Sequence, residues 1–265
     1  MCIRDSRNII VHYHIFKNAG SSIDQLLKSN FGNQWLSYDS DDSGAVITTD
    51  ILTRLIEDNP QVCALSSHQI VPPLPEIAGQ VFPIVFVRDP IDRLKSAYLF
   101  EWKKQLGLDQ PKGTLREYVE SKFLHRRRSA VEEFQTIRFS NRTPEKFTNS
   151  DSLDDEELFE NALDFIESLE FVGIVDQFDA SCELLKSYLA PAFPEFAIRN
   201  VQANVLQDIS LGISEKREQI RCELGEDLYE TVLERNALDD RLYVRSCEHF
   251  NRLQHEYSSR LKVAV

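Results

Sequence analysis

A lysine in a loop of small residues, between an apolar run and an amphipathic stretch, is the first group in this chain suited to chemistry. The segment is His14-Ile15-Phe16-Lys17-Asn18-Ala19-Gly20-Ser21-Ser22, preceded by Val11-His12-Tyr13 and followed by Ile23. A parallel strand that turns into a helix N-terminus presents free backbone N–H groups and the positive end of the helix dipole, which together hold an anion. Ala19 and Gly20 keep the approach open, Ser21 and Ser22 add hydroxyl donors, and Lys17 supplies a point charge. The order is not that of a Walker A loop, because Lys17 precedes Gly20 instead of following it. In the Walker arrangement the Ser or Thr beside the lysine holds Mg²⁺, so the altered order points to phosphate chemistry without that metal.

A second anion-binding pattern lies farther on, in Phe86-Val87-Arg88-Asp89-Pro90-Ile91-Asp92-Arg93-Leu94-Lys95-Ser96. Arg88 ends an apolar run, and in open α/β sheets ligands sit beyond the carboxyl ends of strands. A guanidinium there can fork onto a phosphate. Ser96 falls about two turns along the following helix, near the same face. Asp89 either orients Arg88 or caps the helix; Arg93 reads as a surface or Asp-paired arginine. One phosphate loop alone is ambiguous, whereas two on one sheet point to a nucleotide with phosphates at both ends.

Positioning these groups requires strands that alternate with helices. Short β-branched or aromatic runs predict strands at 8–15, 62–66, 81–87 and 171–175. Helical periodicity predicts helices at 22–30, 49–57, 90–106, 154–169, 178–188, 214–221, 227–236 and 239–255. In the second of these, Ile51, Leu52, Leu55 and Ile56 are placed on one side. Loops are expected at 39–44, 71–79 and 140–151. The alternation implies an α/β fold: a P-loop-like, mostly parallel sheet flanked by helices, with a helical C-terminal third. No linker-like composition divides the chain, so residues 1–265 read as a single domain.

The chain carries a net charge of −13, which argues against a nucleic-acid partner without excluding a local basic cleft. Its five cysteines stand at 2, 63, 182, 222 and 247, with no Cys-x-x-Cys pair, and read as reduced thiols. No apolar run is long enough to span a bilayer, and the start has no secretory h-region. These features read as cytoplasmic, with residues 1–7 taken as a truncated N-terminus or a scar. His12 and His14 alternate on one strand face and read as cleft-edge or packing residues. No further ligand has suitable spacing, so no metal is expected.

The two anion-binding motifs together resemble the sulfotransferases that use 3′-phosphoadenylyl sulfate (PAPS), in particular the carbohydrate-directed group with heparan sulfate 2-O- and chondroitin sulfotransferases. The resemblance implies that the loop His14–Ser22 holds the 5′-phosphosulfate and that the stretch Phe86–Ser96 holds the 3′-phosphate. It continues through Ser66-Ser67-His68-Gln69, similar to a strand-end segment with a catalytic histidine. Phe134-Gln135-Thr136-Ile137-Arg138-Phe139 is similar to a Gln-Thr-Arg segment facing cofactor and acceptor. Phe171–Asp179 is similar to a late strand-to-helix segment, and Asn236–Tyr243 to the start of a C-terminal helix. Phe16 departs from the proline of many members, and Ile137 is an extra residue between Thr136 and Arg138.

The implied reaction moves a sulfuryl group from PAPS, as donor substrate, to a hydroxyl of an acceptor such as a glycan. Lys17 is suited to the charge that builds on the departing phosphate oxygen. His68, at the end of the apolar run 62–65, is the expected general base, since a neutral imidazole accepts a proton near pH 7. Lys17, Asn18, Ala19, Gly20, Ser21, Ser22, Arg88 and Ser96 are the expected donor-binding residues. The basic run 125–128 either meets an anionic acceptor or is a solvated helix face paired with Glu132 and Glu133. Two other readings stand beside this one: a P-loop kinase acting on a small molecule, and a glycan- or nucleotide-binding protein of the same fold without turnover. Acceptor, position sulfated and oligomeric state are not written in the sequence.

Overall fold

A computed structural model describes residues 7–42, 44–102, 107, 113–124, 130–140, 154–199 and 211–263. The basic run 125–128, the bulk of the expected loop 140–151 and the end of the helix expected at 90–106 lie outside the described residues.

Five parallel strands form the sheet: β1 (Arg7–Tyr13), β2 (Trp35–Ser37), β3 (Ala64–Ser67), β4 (Gly79–Val87) and β5 (Gly173–Ile174), in the order β2-β3-β1-β4-β5. This is the expected α/β architecture. Ile9, Ile10 and Val11 of β1 and Ile84, Val85 and Val87 of β4 have no accessible surface. Their unbroken apolar runs are what a parallel sheet covered on both faces requires. β1 sits between β3 and β4, and Tyr13 lies opposite both Ser67 and Val85. The carboxyl ends of the three central strands therefore come level, and the loops that leave them share one edge. Strand order reverses there, as at the ligand crevice of other open α/β sheets.

Among the described residues the helices are α1 (Gly20–Phe31), α2 (Thr49–Asp58), α3 (Pro90–Phe100), α4 (Leu115–Phe123), α5 (Phe134–Phe139), α6 (Asp155–Glu167), α7 (Phe178–Leu189), α8 (Ile213–Leu224), α9 (Glu226–Glu234) and α10 (Ala237–Val263). On α2, Leu52 and Ile56 are buried but Ile51 is 45% exposed. The apolar stripe is one residue narrower than the sequence predicts, because Ile51 lies about 100° around the helix from Leu52. Ala162, Phe165 and Ile166 of α6, with Leu169 just after it, are buried in the main core around the sheet, and Leu158 is buried as well, as their spacing predicts. A second apolar cluster joins α3, α4, α8 and α9 through Leu94, Tyr98, Leu115, Val119, Ile220 and Val232, and half-buried Phe16 packs against it. α3, which carries Ser96, is thus packed into this second cluster.

Two helix starts cap each other. The Glu133 carboxylate accepts from the backbone N–H groups of Leu238 and Asp239 at 3.0 and 2.8 Å. The Asp239 carboxylate accepts from Gln135 N, Thr136 N and Thr136 Oγ1 at 3.1, 2.7 and 2.8 Å. All of these groups are buried, so each carboxylate satisfies donors that no water reaches. The exchange locks α5 to the start of α10 and explains why the segments 134–139 and 236–243 belong together. Asp239→Ala is predicted to cost about 2–4 kcal/mol, because three buried donors lose their acceptor. Urea denaturation of the variant measures this, and a loss under about 1 kcal/mol would show that the exchange is dispensable.

Candidate functional site

β1 ends at Tyr13, and the chain turns through residues 14–19 before α1 begins at Gly20. Lys17 and Ala19 both adopt left-handed backbone conformations, with φ of 67° and 61°. Such alternation folds successive N–H groups into a concave nest that suits an anion. Gly20 is required for a reason the sequence does not display. A Cβ there would lie 1.9 Å from Cδ2 of His14, so the residue leaves room for an imidazole beneath the loop as well as for a ligand above it. His14 and His12 both bond through Nδ1 to the Asp24 carboxylate, at 2.8 and 2.9 Å. Burial raises the Asp24 pKa, but the hydrogen bonds from both histidines outweigh it and hold the carboxyl well below the usual range. The ligand atoms of His12, His14 and Asp24 lie within 4.8 Å of one another, engaged in these hydrogen bonds.

At the end of β4, Arg88 is almost fully buried. Its Nε donates to Asp92 at 2.6 Å and its Nη1 to the backbone carbonyl of Lys17 at 2.9 Å. One edge of the guanidinium therefore fixes the neighbouring loop, while the side chain still lines the cleft. Asp89 resolves as the cap: its Oδ1 accepts from Ile91 N and Asp92 N at 3.0 and 2.8 Å, and its Oδ2 from Arg217 Nε at 2.6 Å. Asp92, one turn into α3, is the acid that orients Arg88. Arg93 is not a surface residue. It is fully buried with its guanidinium 4.8 Å from the centre of the Phe134 ring, and burial draws its pKa down to about 10.

Gln135 binds the two loops together. Its Oε1 accepts from Asn18 Nδ2 at 2.7 Å and from Arg88 N at 2.9 Å, while its Nε2 donates to Arg88 O at 2.8 Å. Asn18 Nδ2 also donates to Phe86 O at 2.7 Å. The Asn18 side chain thus belongs to the brace between the loops and not to the cleft wall, where its sequence neighbours stand. The inserted Ile137 does not disturb this contact; the segment is helical, and Arg138, one turn after Gln135, donates to the backbone carbonyl of His68.

His68 follows β3 directly. Its Nδ1 meets Asp39 Oδ2 at 2.9 Å, its backbone N–H donates to Asp39 Oδ1 at 2.8 Å, and Ser67 Oγ donates to the same oxygen at 2.7 Å. With Asp39 accepting from Nδ1–H, Nε2 carries the lone pair. The ring stacks on His14 at 3.7 Å, and His14 on His12 at 5.3 Å. Burial lowers the His68 pKa and the adjacent His14 lowers it further; Asp39 opposes them without restoring the ordinary value. His68 is therefore neutral at pH 7, with a nitrogen able to take a proton.

A cleft of about 340 Å³ gathers Lys17, Ala19, Gly20, Ser21, Ser22, His68, Arg88 and Ser96, and Asp176 and Asp179 line it too. Lys17 Nζ lies 4.3 Å from the centre of the Phe100 ring at its edge. Lys216 of α8 also lines the cleft, with Nζ 3.9 Å from Asp92. Neither Lys216 nor Asp39 is marked by a motif. Lys216 lies in an acid-rich helical stretch and Asp39 in a polar loop. Gly20→Ala is expected to cost about 1–3 kcal/mol by forcing His14 from its place. The double variant Gly20→Ala/His14→Ala should be no less stable than His14→Ala alone. Denaturation curves of the three proteins check this, and an unchanged stability for Gly20→Ala would contradict the packing argument.

The comparisons with known proteins agree with this arrangement. A model of the sulfotransferase family matches residues 1–244. An uncharacterised protein of Archaeoglobus fulgidus is 30% identical over 243 residues, which cover 88% of this chain and 94% of that protein. A family match that takes in the sheet, both loops at the cleft and most of the helices places the chain among its members: it belongs to the sulfotransferase family.

Proposed function

We propose that the chain is one sulfotransferase domain that moves a sulfuryl group from PAPS to a hydroxyl of a carbohydrate acceptor. The observation that carries this reading is the shared cleft: both anion-binding loops and His68 open onto one space. In the proposed reaction the nest at 17–22 holds the 5′-phosphosulfate. Arg88, Ser96 and Lys216 hold the 3′-phosphate. Their fixed separation selects a donor with phosphates at both ends.

The acceptor oxygen attacks sulfur in line with the bridging oxygen of the donor. A new O–S bond forms, the old S–O bond breaks, and its electron pair leaves on the 5′-phosphate of the product, 3′-phosphoadenosine 5′-phosphate (PAP). The acceptor proton passes to Nε2 of His68, while Asp39 keeps the ring in the tautomer that can receive it. Lys17 and the N–H groups at the start of α1 stabilise the charge on the leaving oxygen. Lys17 stands at the cleft wall beside Phe100, which supports this role.

A P-loop kinase is the competing enzyme, and the order of Lys17 and Gly20 speaks against it. Thermal shift separates the two: PAP is predicted to stabilise the protein more than ATP with Mg²⁺, and the reverse order would favour the kinase. His68→Ala is predicted to lower turnover about 10²–10⁴-fold with PAP affinity retained, which also distinguishes an enzyme from a binding protein. Lys17→Ala and Arg88→Ala should instead weaken PAP binding; normal affinity in both would contradict the phosphate assignments. Because the His68 pKa is lowered, kcat/KM should rise with pH, with its acid limb centred below 6.5. In Asp39→Asn the limb should move to still lower pH with a smaller plateau, since the carboxylate that raises the pKa is gone. A limb centred above 6.5 would exclude His68 as the base.

A further inference from the structure

A second pocket, of about 360 Å³, meets the first at His68 and Phe16, which line both. Its other walls come from Phe134 and Arg138 of α5, from Asp39, Ser40 and Asp41 in the loop after β2, and from Gln69. Gln69 fixes that loop: its Oε1 accepts from Ser40 N at 2.6 Å and its Nε2 donates to Asp42 O at 2.7 Å. The pocket edge that carries Asp41 is therefore built and held in place.

Among the described residues that line this pocket, the charges do not balance. Arg138 lies against the His68 carbonyl and in the field of Asp39, and Asp39 is engaged by His68 and Ser67. With His68 neutral, Arg138 and Asp39 offset each other, and Asp41 leaves the described lining with a negative excess. A bound anionic donor in the adjoining cleft increases it. A carboxylate or sulfate on the acceptor would meet like charge from both directions.

The apolar part of the lining is aromatic. The Phe16 and Phe134 rings stand edge to face at 6.4 Å, and Phe16 meets Phe100 at 5.5 Å in the same manner. Such rings suit the C–H face of a pyranose, while Asp41 and Ser40 accept from its hydroxyls. A bare phenol would cover the aromatic wall but leave those polar groups without partners, a loss that a polar site does not tolerate well.

We propose that the acceptor is an uncharged sugar ring, seated between Phe16, Phe134 and Asp41, with the reacting hydroxyl facing His68. This deepens the sulfotransferase reading and rests on it. The test is sulfuryl transfer from PAPS to a panel of neutral methyl hexopyranosides, each paired with its C6 carboxylate counterpart, with 4-nitrophenol as a third arm and PAP affinity measured on the same preparation. The neutral member should exceed its carboxylate twin in kcat/KM by about tenfold or more, and should exceed 4-nitrophenol. Asp41→Lys should shrink or invert the first ratio while PAP affinity stays unchanged. Equal or greater transfer to the carboxylate sugars, preference for the phenol, or no transfer to any sugar by a protein that binds PAP would overturn the proposal. Failure to bind PAP would instead sink the sulfotransferase donor assignment beneath it.

Discussion

The side-chain amide of Gln135 is the contact on which the site geometry depends. It accepts from Asn18 in the loop after β1, and both accepts from and donates to the backbone of Arg88 in the loop after β4. Gln135 has no accessible surface, so no water can replace these partners. Arg88 adds a second tie in the opposite sense, from its guanidinium to the carbonyl of Lys17. The two loops are thus set at a fixed distance before any ligand arrives, and ordering them costs nothing at the moment of binding. Gln135 is in turn held by the exchange between Glu133 and Asp239, so the start of the last long helix determines the placement of two loops that are distant in sequence.

A strongly acidic chain can hold a polyanionic donor because position, not net charge, decides the field inside a cleft. Lys17, Arg88 and Lys216 are brought to one space by three different elements, with the N-terminus of α1 beside them. Asp92 does not cancel this arrangement. It fixes the orientation of Arg88 at 2.6 Å and stands 3.9 Å from Lys216, holding the two cations toward the same side. The histidine stack works similarly. Asp24 anchors His12 and His14 below the loop, and His14 supports His68 at the surface, where Asp39 fixes the ring from the other side.

Strands β1, β3 and β4 were legible because a buried parallel strand is a continuous apolar run, and the long helices because their apolar residues recur at helical spacing. β2 was missed: at three residues, Trp35–Ser37 is too short for any period to register. α4 was also missed, although Thr114 and Glu117 form a capping box that marks its start. That Lys17, His68, Arg88 and Ser96 meet at one cleft was readable from local context, since each stands just beyond a strand or on the helix after it. Asp39, Lys216 and the brace through Gln135 were not. Their significance lies in contacts across the fold, and no local pattern distinguishes them from ordinary polar residues. Arg93 illustrates the same limit, since only the fold reveals that Phe134 covers it.

The central claim is that two pre-set loops grip one nucleotide by both of its ends. Calorimetric titration of the protein with PAP, adenosine 5′-phosphate and adenosine 3′-phosphate, repeated with Gln135→Ala, tests it most directly. PAP should bind about 100-fold or more tightly than either monophosphate, since a second anchored phosphate adds its contacts without a second ordering cost. Gln135→Ala should remove most of that advantage and leave the monophosphate affinities nearly unchanged. A PAP affinity no better than that of a single-phosphate nucleotide, or an advantage that survives the loss of Gln135 intact, would contradict the account.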